Sequence, residues 1–153
     1  MRYILIAGLL LSISIQSNAQ QDPQGIWALK LLAVKNDDAN LQYLLGQKYA
    51  EGIGVLENDK DANAWYFKAA VQGHAGALLE LGRQHLHGEG VLRNKPAAYA
   101  FFSLAIHQGF PGQRGILDLI KRSMTFQEIK EGQECIQLLV KEYPGMLGKK
   151  KKR

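Results

Sequence analysis

The amino-acid sequence predicts an all-α solenoid of stacked helical hairpins, and three observations carry that expectation. First, Gly46, Gly52, Gly54, Val55, Ala62, Ala64, Ala69 and Gly73 return thirty-six residues later as Gly82, Gly88, Gly90, Val91, Ala98, Ala100, Ala105 and Gly109. Second, Trp65 and Tyr66 return at the same interval as Phe101 and Phe102. Third, the apolar residues between these glycines recur at helical spacing, Leu41, Leu44, Leu45 and Tyr49 in one stripe and Ala62, Trp65, Tyr66, Ala69 and Ala70 in the next. Self-similarity at a period of about 20 to 50 residues marks a stacked array in which no unit buries its apolar face alone.

The elements follow in chain order. Residues 1–19 read as a secretory signal: Arg2, an apolar run to Ile15, then Ser17-Asn18-Ala19 as a small-residue cleavage site. The run is shorter than the roughly 20 residues of a membrane span, so the mature chain is expected to begin after Ala19 without a transmembrane segment. Residues 20–143 form the solenoid. A half-repeat occupies 25–37, because shifting the second stripe back one period lands on Ile26, Leu29, Lys30, Ala33 and Val34, with Asp37 in place of the terminating glycine. Full hairpins occupy 38–73 and 74–109. In each, Gly52 or Gly88 ends the first helix in a left-handed conformation, Gly54 or Gly90 keeps the connection tight, and Val55 turns back into the core. Asn58 or Asp59 caps the second helix of the first unit, and Asn94 caps that of the second, with Pro96 in the first turn. Trp65 and Phe101 fill the space between helices, and Gly73 and Gly109 end the units.

A degenerate third repeat covers 110–123. Leu117 keeps its place there, but Asp118 and Lys121 stand where the glycine and the aromatic belong. Thr125-Phe126-Gln127-Glu128 opens a capping helix over 125–143 with a capping box, and Ile129, Ile136, Leu139, Val140 and Tyr143 give its apolar stripe. Residues 144–153 are expected to be a tail without a fold, ending in Lys149-Lys150-Lys151-Lys152-Arg153.

The string LGQKYAEGIGVLENDKDANAWYFKAAVQG and its copy LGRQHLHGEGVLRNKPAAYAFFSLAIHQG resemble the Sel-1-like repeat family, a branch of the tetratricopeptide-type solenoids. The resemblance is clear over residues 45–109 and weaker to about residue 143. It implies a non-catalytic protein-binding scaffold whose first helices line a concave face. Some secreted relatives are disulfide-stapled and associated with penicillin binding, but their cysteine pairs are missing here.

Composition narrows the chemistry. The net charge of +5 misleads as a sign of nucleic-acid binding, because Arg2 lies in the signal and five positive charges lie in residues 149–153, leaving the body near −1. No specific nucleic-acid partner is expected. The basic tail suits an anionic envelope polymer or lipid. Cys135 is the single cysteine, so no internal disulfide forms, and it reads as a shielded thiol beside the final stripe. No metal site is expected: His85 and His87 are two residues apart on a helix, whereas metal-binding helical pairs are three or four apart, and His74 and His107 sit where histidines cap carbonyls. After the signal the only hydroxyl nucleophiles outside tyrosine are Ser103, Ser123 and Thr125, none in a catalytic string, so neither catalysis nor a cofactor is expected.

What remains is surface. Tyr43, Gln47 and Ala50 face away from the first-helix stripe, and Leu79, Arg83 and Leu86 hold the same places one period on. Tyr43, Gln47, Leu79, Arg83 and Leu86 are therefore the expected binding residues for a protein or peptide, with packing between repeats as the competing role for the two leucines. The expectation is an exported, non-catalytic adaptor in a bacterial periplasm or beyond. The alternatives are a cell-wall enzyme using Glu51, Glu80 and Glu89, an envelope-polymer-binding factor, and a host-directed effector.

Overall fold

The computed structural model describes residues 25–148, so the signal reading of 1–19 and the basic run 149–153 lie outside the described residues. The chain forms α1 (Ile26–Lys35), α2 (Ala39–Glu51), α3 (Asp59–Val71), α4 (Ala75–His87), α5 (Lys95–His107), a 3-10 turn η1 (Pro111–Gln113), α6 (Arg114–Arg122), α7 (Phe126–Glu142) and a second 3-10 turn η2 (Pro144–Leu147). The described residues contain no strand, and the fold is an all-α solenoid of hairpins. No described helix is long and apolar enough to cross a membrane.

The two central hairpins are α2 with α3 and α4 with α5. Asp38 caps α2 by accepting the amide hydrogens of Asn40 and Leu41, Asn58 caps α3 by accepting those of Lys60 and Asp61, and Asn94 caps α5 by accepting that of Ala97. Each hairpin closes on a ring seated against a glycine. A Cβ built on Gly82 would lie 2.9 Å from Cδ2 of Phe102, and one on Gly46 would overlap the Tyr66 ring more deeply. Glycine is needed there because the aromatic occupies the volume of the missing side chain. Tyr66, Leu78, Leu81 and Leu104 are buried in the main core, and Trp65 joins Ile26, Ala33 and Leu45 in a second cluster that docks α1.

That closure fails in the third unit. Asp118 stands at the position of Gly46 and Gly82, so α6 offers no seat for a ring. Instead α7 crosses α5 and sets Ile136, Leu139, Val140 and Tyr143 against the main core, with Tyr143 edge-on to Phe67 of α3 at 5.3 Å. The capping helix thus covers the outer face of the hairpins, and α6 keeps Ile116 and Leu119 exposed. Cys135 is half-buried on α7, and burial pushes its thiol above the ordinary range.

Three local expectations change. Leu44, expected in the buried stripe, is 39% exposed because the neighbouring Leu45 takes the core position. The chain does not lose its structure at residue 144: Met146 in η2 is fully buried in the main core. Its carbonyl accepts a hydrogen bond from Gln108 Nε2, and Gly145 packs on the Val71 carbonyl.

The third change concerns His74. It caps amide hydrogens rather than carbonyls: its Nδ1 accepts from the Ala77 amide at 3.1 Å, and its ring stacks on Tyr43 at 4.4 Å. Burial holds the imidazole below its ordinary 6.5, partly offset by a backbone hydrogen bond and by Asp38. Protonation would remove the acceptor and place a cation at a helix N-terminus. Because the folded-state pKa is depressed, this cap contributes fully above the unfolded value and is lost as pH falls through the folded one. The melting temperature of the native chain should therefore drop more between about pH 7.5 and about pH 5 than that of His74→Asn, which keeps a cap that does not titrate over that interval. Equal slopes would remove His74 from the acid response.

Candidate functional site

The first helices α2, α4 and α6 share one face. A slot of about 350 Å³ lies between α4 and α6. Leu79 and Leu86 from α4, Phe102 from α5 and Ile116 from α6 give it apolar walls, while Glu80, Arg83, His87 and Gln113 supply its polar groups. The slot exists because α6 packs as a first helix should, whereas no second helix follows to close the third hairpin. Ile120, Met124 and Leu117 anchor α6 against Phe102 and Ala98, which turns Ile116 toward the slot, while Leu119 on the same helix is 66% exposed.

Charge within the slot is ordered. Arg83 Nε donates to Glu80 Oε2 at 2.9 Å, and its Nη1 pairs with Glu89. Two carboxylates thus fix one guanidinium, which loses less freedom when it meets a ligand than a loose side chain would. The same pairing occupies two of the three acids that an enzymatic reading requires. Among the described residues no three His, Cys, Asp or Glu side chains gather where they could hold a metal.

The five expected binding residues separate. Leu79, Arg83 and Leu86 meet in the slot. The two leucines also pack against the cluster that anchors α6, so they serve both the slot and the repeat contact. Tyr43 does not project as a free recognition side chain. Its ring lies between Tyr66, at 5.6 Å, and His74, and its hydroxyl accepts from Gln47 Nε2 at 3.2 Å. Burial raises the Tyr43 phenol above its ordinary value, with Glu80 and Glu51 adding to the effect. Tyr43 therefore braces α2 against the start of α4, and Gln47 holds its hydroxyl from the same helix. The expected set omitted Ile116, although the same thirty-six-residue shift gives it the repeat position of Glu80 and Leu44. Phe102 escaped it too, because a residue read as packing also forms the slot's floor.

The Sel1 repeat family model matches residues 39–74 and 75–110. No curated protein matches the chain. Among solved structures, the fold is similar to a protective antigen present in uropathogenic Escherichia coli strains that displays an SLR fold, with TM-score 0.70 and 24% identity over 82% of this chain and 28% of that one. It is also similar to a Sel1 repeat protein from Oxalobacter formigenes, with TM-score 0.55 and 23% identity over 71% of this chain and 53% of that one. The chain thus spans about a quarter of the first protein and half of the second, and identities this low speak for the fold. Sel1 repeats commonly mediate protein–protein interaction and generally act as non-catalytic scaffolds.

Proposed function

The chain carries two Sel1 repeats, and from that premise we propose that it is an exported, non-catalytic adaptor that binds a protein or peptide in the slot between α4 and α6. The observation that carries this reading is the coincidence of exposed Ile116 with an apolar slot whose Arg83 is held by two acids, beside exposed Leu119 on the same helix. An apolar anchor enters between Leu86 and Ile116, and polar groups of the same ligand meet Arg83, Glu80 and Gln113 at the rim. This is the usual anatomy of a small interface, an apolar centre with polar surroundings. Preformed helices limit the ordering cost, and the small number of repeats limits affinity. Export rests on the pattern of residues 1–19, and it makes the periplasm or the exterior the compartment in which to seek the partner. The basic residues 149–153 provide a second, electrostatic contact to anionic envelope polymer or lipid.

The test is crosslinking capture from the envelope fraction with the native chain, with Ile116→Asp/Leu119→Asp, and with a version ending at Gly148. Both substituted positions are exposed, so circular dichroism should show the native helix content. A captured protein identified by mass spectrometry should lose about tenfold or more in affinity with the double variant, the scale of one interface hot spot. Capture that survives the double variant and disappears with residues 149–153 would overturn the slot assignment and leave polymer or lipid binding in its place.

A further inference from the structure

A second cavity, of about 390 Å³, lies between α1 and α3 on a different part of the molecule. Its composition departs from the repeat at several places together. Asp37 stands where the later units have Gly73 and Gly109, Gln42 where the second unit has Leu78, and Lys68 where it has Leu104. Leu78 and Leu104 are buried apolar residues, so the first unit puts polar groups where the array calls for core. Departures from a sequence's own pattern concentrate where function requires them.

The geometry is specific. Asp37 is the only non-glycine among the described residues with positive φ, at 47°, the left-handed region that glycine normally fills. That conformation brings its Oδ1 to two amide donors, Gln42 Nε2 at 2.9 Å and Gln72 Nε2 at 3.2 Å. Gln42 is 3% exposed, and its Oε1 accepts from Gln72 Nε2 at 3.0 Å, which locks the group. Asp37 Oδ2 has no hydrogen bond among the described residues. Lys68 lies on the same cavity with its ammonium 4.0 Å from the centre of the Trp65 ring and forms no ion pair among the described residues. Val34, Trp65 and Val71 line the space around the two charges. Asp37 and Lys68 are both exposed, at the mouth of a cavity with apolar walls, and an oriented carboxylate and an ammonium unpaired with each other there suit a ligand that carries both opposite charges and an apolar body.

We propose that this cavity binds a small zwitterion with an apolar side chain, an amino acid or short peptide, whose ammonium meets Asp37 and whose carboxylate meets Lys68. The apolar side chain lies against Trp65, Val34 and Val71. Gln72 orients the acid, with both hydrogens of its amide committed to Asp37 and Gln42. The site is independent of the slot between α4 and α6, so it holds or fails separately from the adaptor reading.

The experiment is calorimetric titration of the full chain with the dipeptide Leu-Leu, its N-acetyl form and its C-terminal amide. Leu-Leu should saturate one site, and each blocked form should bind about tenfold or more weakly, because each removes one charge-assisted contact. Two variants restore the residues of the later units. Asp37→Gly relieves the left-handed strain, Lys68→Leu adds an apolar side chain, and both should remain folded with the same loss of affinity. The proposal is overturned by any of three results: no saturable uptake of Leu-Leu, equal affinity for blocked and free forms, or native affinity in both variants. An Asp37→Gly chain that melts lower yet binds Leu-Leu as the native chain does would make Asp37 a bracing residue only, and would likewise overturn it.

Discussion

A chain ending at Tyr143 should be less stable than the native protein by about 3 to 5 kcal/mol, on the scale of deleting a fully buried methionine and the backbone that carries it. Met146 is completely buried in the main core. The η2 turn lies over α3 so closely that a Cβ on Gly73 would come within 2.7 Å of the Gly145 carbonyl oxygen. Gly73 meets both demands, since its φ of +85° is left-handed and it leaves space for η2. Gln108 adds a hydrogen bond from the end of α5 to the Met146 carbonyl. Removing η2 would uncover this junction between the two central hairpins, a large fraction of a total stability of about 5 to 15 kcal/mol. A chain ending at Gly148 retains every one of these contacts and should unfold within about 0.5 kcal/mol of the native chain. Urea unfolding of the two truncations decides the matter. If both match the native chain, η2 is a passenger.

The second large effect is expected at the seats of the rings. Gly82→Ala and Gly46→Ala gain about 1 kcal/mol of helix propensity, since each glycine lies inside a helix. Against this, the new methyl collides with Phe102 or Tyr66, rings 5% and 2% exposed and held on all sides, so relief requires moving a helix. Overpacking of this kind costs about 1 to 3 kcal/mol, and the overlap at Gly46 is the deeper of the two. The net expectation is a loss of about 2 kcal/mol for Gly46→Ala and a smaller one for Gly82→Ala. Gly115→Ala is the control, because nothing lies within 4 Å of a Cβ there, and it should be stabilising by up to about 1 kcal/mol. Trimming the ring should relieve the collision, so Gly46→Ala should cost less in a Tyr66→Leu background than alone. Simple additivity of the two would place the cost elsewhere than in the contact.

These two predictions fall on opposite sides of what the sequence makes legible. The glycine seats, the caps at Asn58 and Asn94 and the pairing of α2 with α3 and α4 with α5 all follow from residues close in the chain and from a period of thirty-six, because a solenoid unit touches mainly its neighbours. Asp118 in place of glycine was visible as well, and it marked the third unit as one that cannot seat a ring. Where the released helix would go was not visible. The apolar stripe of α7 says that one side must be buried, but burial is non-directional, and the choice of α5 and α3 over α6 depends on how whole surfaces fit. Met146 carried no signal for the same reason: a lone methionine after Pro144 and Gly145 reads as tail until the groove it fills exists.

The slot is also a product of tertiary structure. Leu79, Arg83 and Leu86 could be placed on one face by helical spacing, yet Ile116, Phe102 and the Arg83 clasp by Glu80 and Glu89 meet them only because α6 packs while α7 departs. Tyr43 shows the converse, since the spacing that set it apart from the stripe could not reveal His74 arriving from the next unit to cover it. By itself the sequence determined the repeat, the hairpins and the class of the molecule, because those rest on local periodicity and nearest-neighbour contacts. The tertiary structure alone decided where the last helix and η2 lie and which residues border the two cavities, because those depend on contacts between segments far apart in the chain that leave no periodic trace.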